Sequence, residues 1–301
     1  VREAVKVGVY LPPFGGYGDE GPWAHARHAE DVGLESVWVG DHLIPTAPRL
    51  DATMVLASAA AVTRRIGLGF GVMVPVLRGA AWVAKQVVSL QHLSGDRVLL
   101  GVGVGGPVHG DMAFRAVGVP YRERGRRTDE LLAVLPDLVE GRTVDLDGHE
   151  VTLSPGADMP PLLIAGGAGS EPALRRVARY ADEWFPAFTG QGAFAASAQR
   201  IAELAAEYGR PVPGLTLSVN LALGEDVPAE VIEHQVRATM RYGMPEAMAR
   251  ASLVTGPPEE VARCFADLAE QGADRIIGMP FGEDRFRQSE LLAETARLLG
   301  S

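Results

Sequence analysis

The apolar positions of the chain fall into two alternating kinds of segment. Short, nearly continuous apolar runs lie at Val5–Leu11, Ser36–Val39, Ile66–Val72, Val98–Val104, Leu162–Ala165, Glu183–Phe185, Thr216–Leu221 and Arg275–Met279. Runs of this length without strict alternation mark strands that are covered on both faces. Between them, Trp23–Val32, Ala52–Thr63, Ala80–Leu93, Tyr121–Glu140, Glu171–Ala181, Ala193–Tyr208, Pro258–Gln271 and Asp284–Leu299 carry helical spacing or strong helix formers. Eight strands alternate with eight helices over 301 residues, at about 38 residues per unit, which predicts an α/β protein of the (β/α)8 TIM-barrel class. No linker or composition break divides the chain, so residues 1–301 read as one domain. Two insertions interrupt the repeat. The segment near 143–153, "TVDLDGHEVTL", reads as a hairpin turning at Asp147-Gly148, and the segment near 224–256 predicts an extra helix or two.

Composition narrows the function classes. A formal net charge of -10 and a pI of about 5.2 argue against nucleic acid or an anionic membrane as partner. The one cysteine, Cys264, excludes an intramolecular disulfide and a thiolate-built metal site, and its helical spacing with Val261, Phe265 and Leu268 reads as core. The N-terminal segment lacks the features of a signal peptide, and the apolar run around Ala52 to Val62 is too short to span a bilayer. The expectation is a cytoplasmic protein without metal.

The stretch "RVLLGVGVGGPVHG", Arg97 to Gly110, contains a G-x-G-x-x-G string at Gly101, Gly103 and Gly106. A dinucleotide fingerprint opens a helix directly after its last glycine. Here Pro107 and then His109, Gly110 and Asp111 follow, which is loop chemistry. In a barrel the same glycines lie at the end of the fourth strand, where active sites form. Gly101 and Gly103 either clear room for core neighbours or admit a ligand. Gly105 and Gly106, at the strand exit, point to the ligand.

Other candidates lie at matching strand ends. His42, beside Asp41 after the second strand, is a residue able to hold a proton near neutral pH. Asp41 is suited to orient it or to bind a cofactor hydroxyl. "IAGGAGS" offers Ala165, Gly166, Gly167 and Ala168 before a helix with Ser170 at its N-cap, a setting for a phosphate or a cofactor tail. Trp184 reads as packing or pocket wall. His25, His28, His149 and His234 read as surface or hairpin positions, and His109 as a pocket-loop residue.

The segments "ESVWVGDHLIP", "RRIGLGFGVMVP", "AKQVVSLQHLSGDRVLLGVGVGG", "FRAVGVPYRERGRRTDELLAVLPDLVEG" and "PPLLIAGGAGSEPALRRVARYADEWFP" occur in order. Together they resemble the bacterial luciferase-like family of flavin- and deazaflavin-dependent oxidoreductases. The resemblance implies a cofactor ring in the barrel mouth, coenzyme F420 or alternatively FMN, with "VGDHLIP" closer to the F420 branch. It implies cofactor contacts from Asp41, Gly71, Val72, Val104, Gly105 and Gly106, a cis peptide at Gly71–Val72, and His42 as the acid–base residue. In the F420-dependent glucose-6-phosphate dehydrogenases of that branch a catalytic glutamate stands where this chain has Gly106, which puts sugar-phosphate oxidation in doubt. The implied activity is F420-dependent hydride transfer with a small organic substrate. The alternatives are an FMN-dependent two-component monooxygenase, supplied by a partner reductase, and a flavin-binding barrel without turnover. A homodimer through Ala52–Thr63 and Ala80–Leu93 is also implied.

Overall fold

Each of the eight short apolar runs folds as a parallel strand that leads into a helix. The computed structural model describes residues 4–18, 20–45, 47–106, 110–167, 169–186 and 191–300. Its elements run β1 (Lys6–Tyr10), α1 (Pro22–Val32), β2 (Ser36–Val39), α2 (Ala52–Val62), β3 (Gly67–Phe70), α3 (Ala80–Ser94), β4 (Val98–Val102), α4 (Met112–Ala116) and α5 (Arg124–Val139). They continue with β5 (Val144–Leu146), β6 (His149–Val151), β7 (Leu162–Gly166), α6 (Glu171–Tyr180), β8 (Glu183–Pro186), α7 (Gln191–Glu207) and β9 (Gly214–Leu223). The chain closes with α8 (Ala229–Met240), α9 (Glu246–Ala251), β10 (Leu253–Gly256), α10 (Pro258–Glu270), β11 (Arg275–Pro280) and α11 (Arg285–Leu299). The eight predicted strands are β1, β2, β3, β4, β7, β8, β9 and β11. This strand–helix repeat is that of a (β/α)8 barrel.

Two compact units account for the contacts. One comprises Val1–Trp38, Arg65–Gly67 and Leu215–Ser301. Its strands lie in the order β10-β9-β11-β1-β2, all parallel, with Val7 opposite Ile276 and Val9 opposite Val37. Val7, Val9, Val37, Trp38, Ile276 and Ile277 are buried on this sheet. Gly8 has no room for a side chain, because a Cβ there would stand 2.8 Å from Trp38 Nε1, which donates to Ser36 Oγ. The insertion near 224–256 gives α8 and α9 as predicted, and also β10, four half-buried residues without an apolar run. His25 departs from its surface reading: it is buried, stacked on Phe286 at 4.2 Å, with Nε2 donating to the Tyr17 carbonyl over 3.3 Å. Helical spacing brought it to the inner side of α1, where Ala26 and Ala29 are also buried.

The other unit comprises Val39–Arg64 and Leu68–Gly214. Its strands lie β3-β4-β7-β8, again parallel, with Leu100 opposite Leu162 and Ile164 opposite Trp184. Asp51 caps α2 by accepting from the Met54 N–H over 3.1 Å. At the other end of α2, Arg97 donates to the Thr63 carbonyl over 3.2 Å and so sets a cation against the helix C-terminus. Arg176 of α6 is buried and pairs with Asp129 of α5 at 2.5 Å. The predicted hairpin is present: β5 and β6 pair antiparallel, and Asp147 and Gly148 take φ of 54° and 82° at the turn. The segment after the hairpin is fastened to α3, whose Lys85, Gln91 and His92 donate to the carbonyls of Ser154, Asp158 and Gly156 over 2.9, 3.0 and 2.8 Å. Cys264 of α10, in the first unit, is half-buried rather than core, and burial pushes its thiol pKa up.

Candidate active site at the strand exits

The C-terminal ends of β3, β4 and β7, with the segment that leaves β2, carry most of the predicted site residues. Burial decreases along the exit of β4: Gly101 and Gly103 are buried, Val104 and Gly105 half-buried, and Gly106 exposed. The glycines in this run serve different ends. A Cβ on Gly101 would fall on the Phe70 carbonyl oxygen, and one on Gly103 would stand 2.7 Å from Val72 Cγ2. These two therefore allow close packing of β4 against the exit of β3. Gly105 has φ of 78°, and a Cβ there would stand 2.7 Å from Phe114. Its place is taken by an aromatic side chain. Nothing lies within 4 Å of a Cβ on Gly106 or on Gly167.

The exit of β3 is held on both sides. The Gly71–Val72 peptide is cis, as the resemblance implied. Gly71 N–H donates to the Val39 carbonyl over 2.8 Å, and Asp41 N–H to the Val72 carbonyl over 3.4 Å. On the β4 side, Met73 N–H donates to Gly101 O over 2.7 Å and Gly103 N–H to Met73 O over 2.8 Å. The His42 ring turns back along its own chain. A Cβ on Gly40 would stand 3.1 Å from His42 Cε1 and 3.5 Å from the Gly71 carbonyl oxygen, so ring and carbonyl converge on one point. His42, Gly71, Val72, Val104 and Ala165 are all partly exposed.

Asp41 is buried, and its carboxylate is already engaged. Arg78 donates to it twice, Nη1 to Oδ2 at 2.7 Å and Nη2 to Oδ1 at 2.9 Å, and the Val74 N–H adds a third bond at 3.1 Å. The bonded carboxylate raises the Arg78 pKa. The exit of β4 has its own arginine. Arg124 Nε donates to the Gly105 carbonyl over 3.3 Å, and its guanidinium lies 3.9 Å from the Tyr121 ring centroid. Neither arginine stands out in the sequence, since each meets its partner only through the fold. Trp184 is buried and stacks on Phe194 at 5.2 Å, with Nε1 donating to the Gly166 carbonyl over 3.3 Å. It packs beneath the β7 exit. Gly166 is buried, and Ser170 stands at the N-cap of α6 without a side-chain cap bond. Ala168 and His109 lie outside the described residues.

Among the described residues, the part-exposed exits of β3, β4 and β7 leave open space at Gly106 and Gly167, with the His42 ring beside the β3 exit. A flat ring has room where Gly106 and Gly167 carry no side chain, so the residues present fit a flavin-type group. Among the described residues, no group of three or more His, Cys, Asp or Glu side chains could hold a metal ion, and no helix is long and apolar enough to cross a membrane.

Comparison with known proteins gives the family and the fold. The F420-dependent hydroxymycolic acid dehydrogenase of Mycobacterium tuberculosis is 33% identical over 171 residues, 54% of this chain and 47% of that protein. The chain thus spans about half the length of the first curated relatives it matches. The F420-dependent glucose-6-phosphate dehydrogenase of Beutenbergia cavernae is 32% identical over 273 residues, covering 84% of this chain and 78% of that one. The structure of an F420-dependent secondary alcohol dehydrogenase in complex with an F420-acetone adduct superposes with a TM-score of 0.81 at 16% identity, over 97% of this chain and 98% of that one. This likeness gives the fold, a (β/α)8 barrel. The family model described as luciferase-like monooxygenase matches residues 22–247, well over half of the sequence. The chain belongs to the luciferase-like monooxygenase family.

Proposed function

We propose that the protein is an F420-dependent oxidoreductase that moves a hydride to or from a small organic substrate. The observation that carries this reading is the convergence of His42 and the Gly71 carbonyl beside strand exits left bare at Gly106 and Gly167. The names of the relatives, F420-dependent dehydrogenases, support the cofactor. When bound, F420 supplies a deazaflavin ring that donates or accepts the hydride. The chain does the rest. Val72, Val104 and Gly106 would hold the ring, with Gly71 and Ala165 beside it. The amides of Gly166 and Gly167, before α6, would meet its anionic tail. One nitrogen of His42 takes the proton of a substrate hydroxyl, or returns it to a carbonyl oxygen in the reverse direction. Gly106 brings no acid, so His42 is the residue assigned to this proton.

Titration of the purified protein with F420 and with FMN tests the reading. Binding of F420 is the expected result, and tight FMN binding without F420 binding overturns it. The family's own description favours a second reading, an FMN-dependent monooxygenase fed by a partner reductase. Oxygen-dependent product formation would single it out, because deazaflavin reacts poorly with oxygen. A flavin-binding barrel without turnover is what remains if the bound cofactor is never reduced or oxidised. The proposal extends to a homodimer through α2 and α3, supported by Met54 and Trp82, 69% and 68% exposed on those helices. A cytoplasmic setting is supported by the single cysteine and the acidic composition.

A further inference from the structure

We propose that Arg78 is a positioning residue, which holds His42 and the exit of β3 in the geometry that the cofactor ring requires. This inference rests on the proposed reading of the strand exits as a cofactor site. Arg78 lies just past the 3-10 helix Pro75–Leu77 that follows β3, and 37 residues from Asp41 in sequence. Its fork closes on both oxygens of Asp41, the residue that precedes His42. The Arg78 and Asp41 side chains are 18% and 4% exposed. Nη2 also reaches Asp51 Oδ2 at 3.4 Å, and Asp51 caps α2 through its other oxygen. One guanidinium thus joins three segments: the β2 exit that carries His42, the β3 exit, and the N-terminus of α2. The Val74 N–H on Asp41 Oδ2 and the Asp41 N–H on Val72 O complete the frame.

The physical reason for an arginine is its shape. A planar fork fixes distance and angle together, whereas an ammonium keeps the charge and loses the second bond. A buried pair is also poor at adding net stability, because the desolvation of both ions offsets their attraction. What the pair supplies at this place is geometry. With Asp41 held at its carboxylate and its N–H, the direction in which the chain presents His42 is set by Arg78.

The test uses Arg78→Lys, which keeps the charge, and the double variant Asp41→Asn/Arg78→Gln, which leaves no lone buried ion if the single change fails to fold. Three quantities are read: the thermal midpoint, the imidazole NMR signals of His42 in cofactor-free protein, and the affinity for F420 from its own fluorescence anisotropy. The expected result is a folded protein with displaced His42 signals and an F420 affinity weakened by about tenfold or more, the scale of one lost charged hydrogen bond. A lowered midpoint with unmoved His42 signals and unchanged F420 affinity overturns the proposal, since a merely structural role predicts that pattern. If the wild-type protein binds neither F420 nor FMN, the cofactor reading alone fails. Displaced His42 signals then still uphold the clamp on His42, and unmoved signals overturn it.

Discussion

At the scale of single residues, four glycines in one motif answer to different constraints, and substitution separates them. Gly101→Ala sets a methyl against the Phe70 carbonyl oxygen, which the packed strands relieve only by moving apart. The expected loss is about 3 kcal/mol in denaturant unfolding. Gly106→Ala meets open space and is expected to alter stability by less than about 0.5 kcal/mol, while weakening F420 binding. Equal stability losses for the two variants would contradict this division. His42→Ala is expected to lower turnover by roughly a hundredfold or more, with cofactor affinity largely kept. The sequence pointed to both His42 and Gly106, because strand-exit positions can be counted from apolar runs. It could not separate the roles of Gly105 and Gly106. That difference lies in Phe114, which occupies the space beside Gly105. The Arg78–Asp41 pair was equally invisible, since it is formed by loops that meet only once β2 and β3 have folded.

At the scale of elements, the buried contacts between helices carry two further expectations. His25 joins α1 to α11 through Phe286, and burial holds its pKa below the ordinary imidazole value of 6.5, against the pull of Glu20 and with the push of His28 and Arg285. Above that value folded and unfolded forms are both neutral at this site. As the pH falls below it, the unfolded chain takes up a proton that the folded chain refuses, so stability is lost until the lowered folded pKa is passed. Melting temperatures between pH 8 and 5 are therefore expected to fall more steeply for the wild type than for His25→Gln. A parallel pair of curves would remove His25 as a source of the slope. Between α5 and α6, Asp129→Ala leaves the buried Arg176 without its charged partner and with the Gly125 carbonyl alone. Asp129 is 43% exposed, which softens the effect to about 2 kcal/mol, read in denaturant unfolding. The elements easiest to predict were those whose burial dictates composition: the apolar strands and the long helices. β10, with four half-buried residues, and α4, with five residues, are too short to impose a period on the sequence. Tertiary contacts rather than local pattern specify them.

At the scale of the whole molecule, the proposed homodimer gives the clearest measurement. Trp82→Glu and Met54→Glu place a charge on the exposed faces of α3 and α2, and sedimentation is expected to shift from dimer to monomer. A monomeric wild type would remove that assembly without touching the fold. The β5–β6 hairpin has a different consequence. It enters the chain just before β7, so it belongs to the end of that strand opposite Gly166 and Gly167. Its tip at Asp147 and Gly148 is exposed, and the segment after it is fastened by three α3 side chains. A peptide tag or reporter domain spliced there has a rigid base and a solvent-facing attachment point. Immobilised by that tip, the protein would turn the bare exits of β4 and β7 toward the solution, a ready format for screening substrates on a surface.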